Sequence, residues 1–404
     1  MPKNDYFVGI DIGTDKIVCL IGKRGEIEDI NIVGMGKSPS KGIKTGSIID
    51  LDAVTEDLLT AISEAEIMAS VKVEEAFVSI SGAQLKSVNS SGTITVSGKE
   101  KITEYEIEKV LQQTKEYSMP KDRDILYLVP QEYKLDSQEG IINPIGMRGN
   151  KLDGKVHIIT ALRSSIINLT TCVNKAGVEV KGIVPSFLAA SETVLTEDEK
   201  DLGVGLIDIG KGTTDMAFYE NGSIWNSIVI PIGGHYFTSD IAIGLMTSIG
   251  EAERIKRRDG TVVIPDDSAN RTITFSTSRG DKEKNIPIDI LVDILNPRAK
   301  EILGLIKDTF KQQNVLDRMN SGIVITGGVA NLEGLTEVAE EVFGIPARVG
   351  KPGKNIEGLA ERVSHPEYSV AIGLLFLAAR ETGRRKYSNR KGFIEKIKSF
   401  FERF

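Results

Sequence analysis

The sequence predicts a two-lobed α/β fold whose halves share one plan, with a small α+β unit inserted in the first half and an amphipathic helix at the C-terminus. A pattern of three strands, the first ending in Asp-Ile-Gly, occurs twice: YFVGIDIGTDKIVCLIGKRGEIEDINIVG near the start and GVGLIDIGKGTTDMAFYENGSIWNSIVIPIGG near the middle. Helical periodicity alternates with short apolar strands between these copies, as in α/β architectures. The closing NRKGFIEKIKSFFERF puts four of the 13 Phe into the last 12 residues.

In chain order, Arg24-Gly25 turns the first copy and Asn221-Gly222, a strong two-residue hairpin signal, turns the second. LDAVTEDLLTAISEAEIMAS reads as a helix and VEEAFVSISG as the strand after it. Residues 84–163 change character: SGTITVSG, the helical TEYEIEKVLQQTKEY, ILYLVPQEYKL and KVHIITAL form the inserted unit. The first lobe is therefore 1–83 with 164–196 and 366–382, and the second is 197–365, with an outer part at about 236–300. Within the second lobe, residues 260–288 are a polar, strand-rich excursion. SGIVITGGVANLEGL reads as a buried strand, Ile323 to Thr326, then Gly327-Gly328 and a helix from near Asn331. After Arg380 the chain is too polar to fold alone, making 383–391 a linker to a helix at 392–404.

The 404 residues suit two or three domains. MPKNDYFVGID has no apolar signal core and no run of 18 apolar residues occurs, so a cytoplasmic protein is expected. Cys19 and Cys172 lie far apart and read as buried free thiols. Net charge is −7, but Arg380 to Phe404 carries nine Lys/Arg against three Glu, so a +6 tail follows a −13 body. An acidic body argues against nucleic acid as partner. A basic amphipathic tail points to anionic membrane lipids or an acidic groove.

The two Asp-Ile-Gly turns suit phosphate. Gly13, Gly210 and Gly212 let backbone N–H groups approach a ligand, and Thr14, Thr213 and Thr214 add hydroxyl donors. Asp11 and Asp208 would repel phosphate directly, so they call for a cation between, most simply Mg²⁺ holding its waters. One such turn is commonplace; two, from two lobes, would clamp a polyphosphate. Gly327 and Gly328 then allow a base or sugar to come close, and Glu253 and Lys256, three apart on one helix, either reach that base or ribose or form an ordinary helical ion pair. Gly205 to Lys211 starts like a P-loop, but Gly212 stands where Ser or Thr should follow. His157, His235 and His365 have no zinc spacing.

With these motifs in place, the chain resembles the actin/Hsp70/sugar-kinase superfamily and, within it, the FtsA family of bacterial cell-division proteins. The similar stretches run the whole length: GIDIGTDKI, PQEYKLDSQEGIINPIGMRG, VHIITAL, DIGKGTTD, IPIGGHYFTSDIA, AERIKRR, NPRAKEIL, GIVITGGVANLEGL, SVAIGLL and the terminal helix. The resemblance implies an actin-like ATPase fold of duplicated RNase H-like subdomains (1A, 2A, 2B) with the insert as subdomain 1C. It implies ATP and Mg²⁺ in the cleft and head-to-tail self-polymers on the cytoplasmic face of the cell membrane at the division site. Its partners would be the C-terminal peptide of the tubulin-like ring protein FtsZ and other divisome proteins. By motif match Asp11, Gly13 and Thr14 serve the first phosphate turn, Asp208, Gly210, Gly212, Thr213 and Thr214 the second, and Gly327, Gly328, Glu253 and Lys256 the adenosine. Arg298, in Asn296-Pro297-Arg298, matches a segment carrying a contact to the ring protein.

Two departures stand out. Lys211 replaces the usual Gly and would either add a cation near phosphate or point to solvent. Ile183 to Ser191 lacks the Glu or Gln that fast-hydrolysing relatives carry, so fast turnover is not expected: nucleotide would act mainly as a conformational clamp, with slow ATPase activity at most. A pilus-assembly relative or a small-molecule kinase of the same superfamily is the alternative, but neither would need the tail. Wound at the 3.6-residue period, Phe393, Ile394, Ile397, Phe400, Phe401 and Phe404 share one face, opposite Glu395, Lys396, Lys398, Ser399, Glu402 and Arg403. Alone, so short a helix is marginal in water; at a lipid surface it would bind weakly, and a polymer would multiply that binding by avidity.

Overall fold

The computed structural model describes residues 6–25, 29–97, 101–115, 120–266, 268, 271–277, 283–353 and 355–387. The first lobe opens with β1 (Tyr6–Ile12), β2 (Lys16–Arg24) and β3 (Ile30–Pro39). A small hairpin, β4 (Ile43–Lys44) and β5 (Ser47–Ile48), leads into α1 (Leu51–Ala69) and β6 (Glu75–Ile80). β1 is covered on both faces from Phe7 to Ile10 and reads there as an apolar run, whereas β3 alternates buried and half-buried residues. Asp50 starts α1 by accepting from the N–H groups of Asp52 and Ala53.

The insert follows: β7 (Leu85–Thr95), α2 (Glu104–Thr114), β8 (Arg123–Leu135), β9 (Gln138–Ile141) and β10 (Lys151–Leu162). Its antiparallel sheet, ordered β7-β10-β8-β9, has its own core around Val110, Leu128, Leu152 and Ile158. The insert meets the second lobe along a polar seam. Ser87 Oγ, Asn89 Nδ2 and Gln131 Nε2 donate to the carbonyls of Ser227, Trp225 and Ile224, and buried His157 sits between Asn89 Oδ1 (2.6 Å) and Ser227 Oγ (2.8 Å).

The chain then returns to the first lobe through α3 (Arg163–Lys175) and β11 (Glu179–Pro185), and α4 (Ser186–Val194) and α5 (Glu197–Leu202) lead across. The second lobe begins with β12 (Val204–Ile209), β13 (Thr214–Glu220) and β14 (Ser223–Ile230). Its outer part holds α6 (His235–Gly244), α7 (Ile249–Asp259), β15 (Thr272–Ser276), β16 (Glu283–Pro287) and α8 (Ile288–Gln312). β17 (Ile323–Thr326), α9 (Leu335–Phe343) and β18 (Ala347–Val349) complete its sheet, ordered β14-β13-β12-β17-β18. β19 (Ile356–Gly358), α10 (Ala360–Val363) and α11 (Ser369–Tyr387) return to the first lobe, whose sheet runs β11-β6-β1-β2-β3-β19.

One apolar core crosses between the lobes, joining Val184, Ala190 and Val194 to Val204, Leu206, Ala217 and Val324. A second lies within the second lobe around Ile207, Phe218, Phe237 and Leu295. Two expectations need correction. Gly328–Asn331 is a 3₁₀ turn, and the helix starts only at Leu335, because Gly334 adopts a left-handed φ of 79° that interrupts it. Helix α11 also runs on to Tyr387, through part of the expected linker. Arg384, Arg385 and Lys386 are good helix formers, and basic residues suit a helix C-terminus. Phe393, Ile394, Ile397, Phe400, Phe401 and Phe404 lie outside the described residues.

Candidate functional site

The two Asp-Ile-Gly turns face each other across a cleft, because each joins the first two strands of its lobe's sheet. In the first, Gly13 N–H closes the turn onto Lys16 O at 3.1 Å; in the second, Gly210 N–H closes onto Thr213 O at 2.9 Å. The cavity between them measures about 420 Å³, within the range of small-molecule sites. Asp11, Gly13, Thr14, Asp208, Gly210, Thr213, Glu253, Lys256, Gly327 and Gly328 all line it.

Gly212 and Thr214 are not among the lining residues, and for Thr214 this corrects the hydroxyl-donor role expected of it. Side chains alternate along a strand, so Thr213 faces the cleft and Thr214 faces away, its hydroxyl donating to Ile232 O at 2.8 Å. Gly212 packs against the opposite lobe instead: a Cβ there would stand 3.0 Å from Thr14 Oγ1 and from Thr45 Cα.

Three carboxylates sit at the cleft floor. Asp208 and Asp215 are buried and directly paired in register on β12 and β13. Ser81 Oγ, from the first lobe, donates to Asp215 Oδ2 at 2.7 Å and lies 3.2 Å from Thr213 Oγ1; Asp215 Oδ1 is buried without a hydrogen-bond partner. Ser79 Oγ donates to Asp11 Oδ1 at 2.8 Å. Burial raises Asp11, partly offset by Ser79 and Lys16. Burial, and then the charges of Asp215 and Asp11, lift Asp208 well above the usual carboxylate range. Burial pushes Asp215 up to about 7, against the pull of the Ser81 and Thr213 hydroxyls. Such a group favours a cation at its centre. Among the described residues, no three His, Cys, Asp or Glu side chains are grouped to chelate a metal directly. The donor set therefore fits a hydrated Mg²⁺, touched through its waters, better than a caged ion.

The third turn closes the cleft from the second lobe. Gly327 has φ 85°, and a Cβ there would lie 2.3 Å from Asp208 Oδ1, so only glycine lets this turn rest on the carboxylate. On α7, Lys256 Nζ bonds Glu253 Oε2 (2.7 Å), Thr238 Oγ1 (2.8 Å) and Gly234 O (3.1 Å). The pair is thus an ion pair whose two members also line the cavity. Burial draws Lys256 down, partly offset by Glu253. Lys211 turns inward, its Nζ 3.3 Å from Asp15 Oδ1. In the crossing segment, Ser186 lines the cavity at the start of α4.

Arg298 is elsewhere, on α8. Its guanidinium grips Asp240 through Nε (2.6 Å) and Nη2 (3.0 Å), reaches Glu301, and lies over the Tyr236 ring. Asp15, Ser79, Ser81, Asp215 and Arg257 escaped the sequence reading. Asp215 was within reach of it: a four-residue turn between Asp208 and Asp215 sets them opposite one another in any tight hairpin.

Residues 205–373 match the family model "Cell division protein FtsA", and 82–160 match "SHS2 domain inserted in FTSA". The chain is 37% identical over 368 residues to the cell division protein FtsA of Pseudomonas aeruginosa, covering 91% of this chain and 88% of that one. In structure it is similar to a PilM-PilN type IV pilus biogenesis complex (TM-score 0.66, 15% identity, 92% of this chain and 98% of that one). It is similar also to MreB5 of Spiroplasma citri bound to ADP (TM-score 0.58, 15% identity, 96% and 100%). These neighbours are actin-like, and so is the fold described above.

Proposed function

Since the chain belongs to the FtsA family of bacterial cell-division proteins, we propose that it is an ATP-binding, membrane-tethered member that links the FtsZ ring to the inner face of the cell membrane. The observation that carries the nucleotide part is the cleft itself, where two phosphate-type turns and the Gly327 turn converge on three acidic side chains. Mg²⁺ would neutralise the phosphates and the carboxylates of Asp11, Asp208 and Asp215 together. Backbone N–H groups near Gly13 and Gly210, with the Thr213 hydroxyl, orient the phosphates. Gly327, Gly328 and the Glu253–Lys256 pair hold the nucleoside. Ser186 stands where a stronger base would speed hydrolysis, so nucleotide serves chiefly to hold the lobes together. MreB5 is similar in fold and binds ADP and AMPPNP, which supports this reading.

Tethering rests on the tail. No helix among the described residues is long and apolar enough to cross a membrane. Phe393, Ile394, Ile397, Phe400, Phe401 and Phe404 form the lipid-facing stripe, with basic residues opposite. Self-polymers gather many weak tails on one surface. Arg298, on the outer part of the second lobe, is the proposed contact for the FtsZ C-terminal peptide, and other divisome proteins are recruited to the same assembly.

The test is flotation with anionic liposomes, with and without ATP, of the full chain and of a chain ending at Asn389. Flotation of the full chain alone, increased by ATP, supports the proposal. If neither floats, the tail is a docked or partner-binding helix and tethering fails.

A further inference from the structure

The tip of the first hairpin places a carboxylate between two cations of the opposite lobe. Asp15 Oδ2 accepts from Arg257 Nη2 at 2.7 Å, and Asp15 Oδ1 lies 3.3 Å from Lys211 Nζ. Arg257 comes from α7 and Lys211 from the second hairpin turn, and all three residues line the cavity. Burial raises the Asp15 carboxyl, but Arg257 and Lys211 more than offset it and leave it below the usual carboxylate range. This is the pairing an entering phosphate would make, already made by a side chain.

We propose that Asp15 is an internal stand-in for phosphate, bridging the lobes through Lys211 and Arg257 and yielding Lys211 to the phosphate chain when nucleotide enters. The inference rests on the nucleotide reading above and deepens it. Lys211 is the mobile member. Arg257 is also held by Glu253 Oε1 at 2.8 Å, whereas the ion pair of Lys211 among the described residues is with Asp15, at the end of a flexible stem. The half-exposed bridge is weak enough to exchange partners. A phosphate chain bears more charge than one carboxylate and displaces it. Asp15 thereby lowers affinity for every anion and most of all for weakly charged ones, while Lys211 raises it.

Fluorescent N-methylanthraniloyl-ATP with Mg²⁺, titrated at low salt into the full chain, tests this. Asp15→Asn is expected to bind about tenfold tighter, ~1.4 kcal/mol, and Lys211→Gln more weakly. Asp15→Asn in the Lys211→Gln background should change affinity less than about twofold, the signature of coupled residues. An unchanged or weaker affinity for Asp15→Asn, or an equal effect in both backgrounds, overturns the assignment. Hydrogen exchange of the nucleotide-free protein separates the two readings. Gly46 N–H, bonded to Thr14 Oγ1 beside the bridge, should exchange faster in Asp15→Asn. If no variant binds nucleotide, the nucleotide reading fails, and the bridge stands or falls on that exchange alone: faster exchange upholds it and unchanged exchange removes it.

Discussion

Asp208 and Asp215 stand opposite one another on adjacent strands at the floor of the cleft, both buried, and one oxygen of Asp215 has no hydrogen-bond partner. Two carboxylates so placed cannot both ionise freely without a cation. Burial pushes the Asp215 carboxyl up to about 7 in the folded protein, above the usual carboxylate range of the unfolded chain. A raised carboxyl stabilises the fold below the unfolded value, and that contribution is lost as pH rises through the folded one. Nucleotide-free protein should therefore lose stability between about pH 4 and 7. Asp215→Asn removes much of that loss: its Tm should exceed that of the parent by several degrees at pH 8, with the gap narrowing at pH 5, in calorimetry without divalent cations. The same variant should bind nucleotide with less dependence on Mg²⁺. A gap that does not vary with pH refutes the assignment.

His157 gives the opposite slope. Burial holds its imidazole down to about 4, and both ring nitrogens have partners, Asn89 within the insert and Ser227 across the seam. The folded value is depressed, so stability is complete above about pH 6.5 and falls as pH drops toward 4, by roughly 3 kcal/mol. His157→Gln keeps a neutral polar group and should flatten this acid limb. Melting curves at pH 7 and 4.5 check it, since the parent should fall further than the variant.

Gly327→Ala should be severe. Its Cβ would meet Asp208 Oδ1 at 2.3 Å and Ile209 O at 2.6 Å, in a backbone conformation that L residues rarely adopt. Strain alone costs about 1–3 kcal/mol, and displacement of the turn should abolish nucleotide binding. Gly353→Ala, where nothing lies within 4 Å, is the control and should leave both unchanged. Thermal melts and nucleotide titration of the pair decide the matter.

Arg298→Ala should weaken capture of the FtsZ C-terminal peptide in a pull-down or anisotropy assay. The pair it forms with Asp240 is partly exposed, so stability should drop by only about 1 kcal/mol. Normal peptide binding in a folded variant would remove Arg298 from the interface.

Much of the fold was legible in sequence because its signals are local. Asn221-Gly222 marks a hairpin, and the repeated Asp-Ile-Gly exposes the duplication. The glycine turns and Asp11 and Asp208 could be placed for the same reason. What stayed hidden depends on contacts distant in sequence. Ser81 meets Asp215 across the cleft, and Asp15 meets Arg257 from the other lobe; no spacing encodes either. Thr214 was misplaced because neighbouring threonines look alike until the strand sets which one faces the ligand. The end of α11 was misplaced because low apolar content argues against a core, not against a helix.

The contacts between the lobes differ in kind from one side to the other. Behind the cleft, Val184, Ala190 and Val194 lie in one continuous apolar mass with Val204, Leu206 and Val324, while the cleft side is joined through Ser81, Asp15, Lys211 and Arg257. Water can replace a hydrogen bond or an ion pair, but it cannot replace apolar packing at comparable cost. A separation of the lobes would therefore cost least at the cleft side, as a book parts at its fore-edge while the spine stays bound.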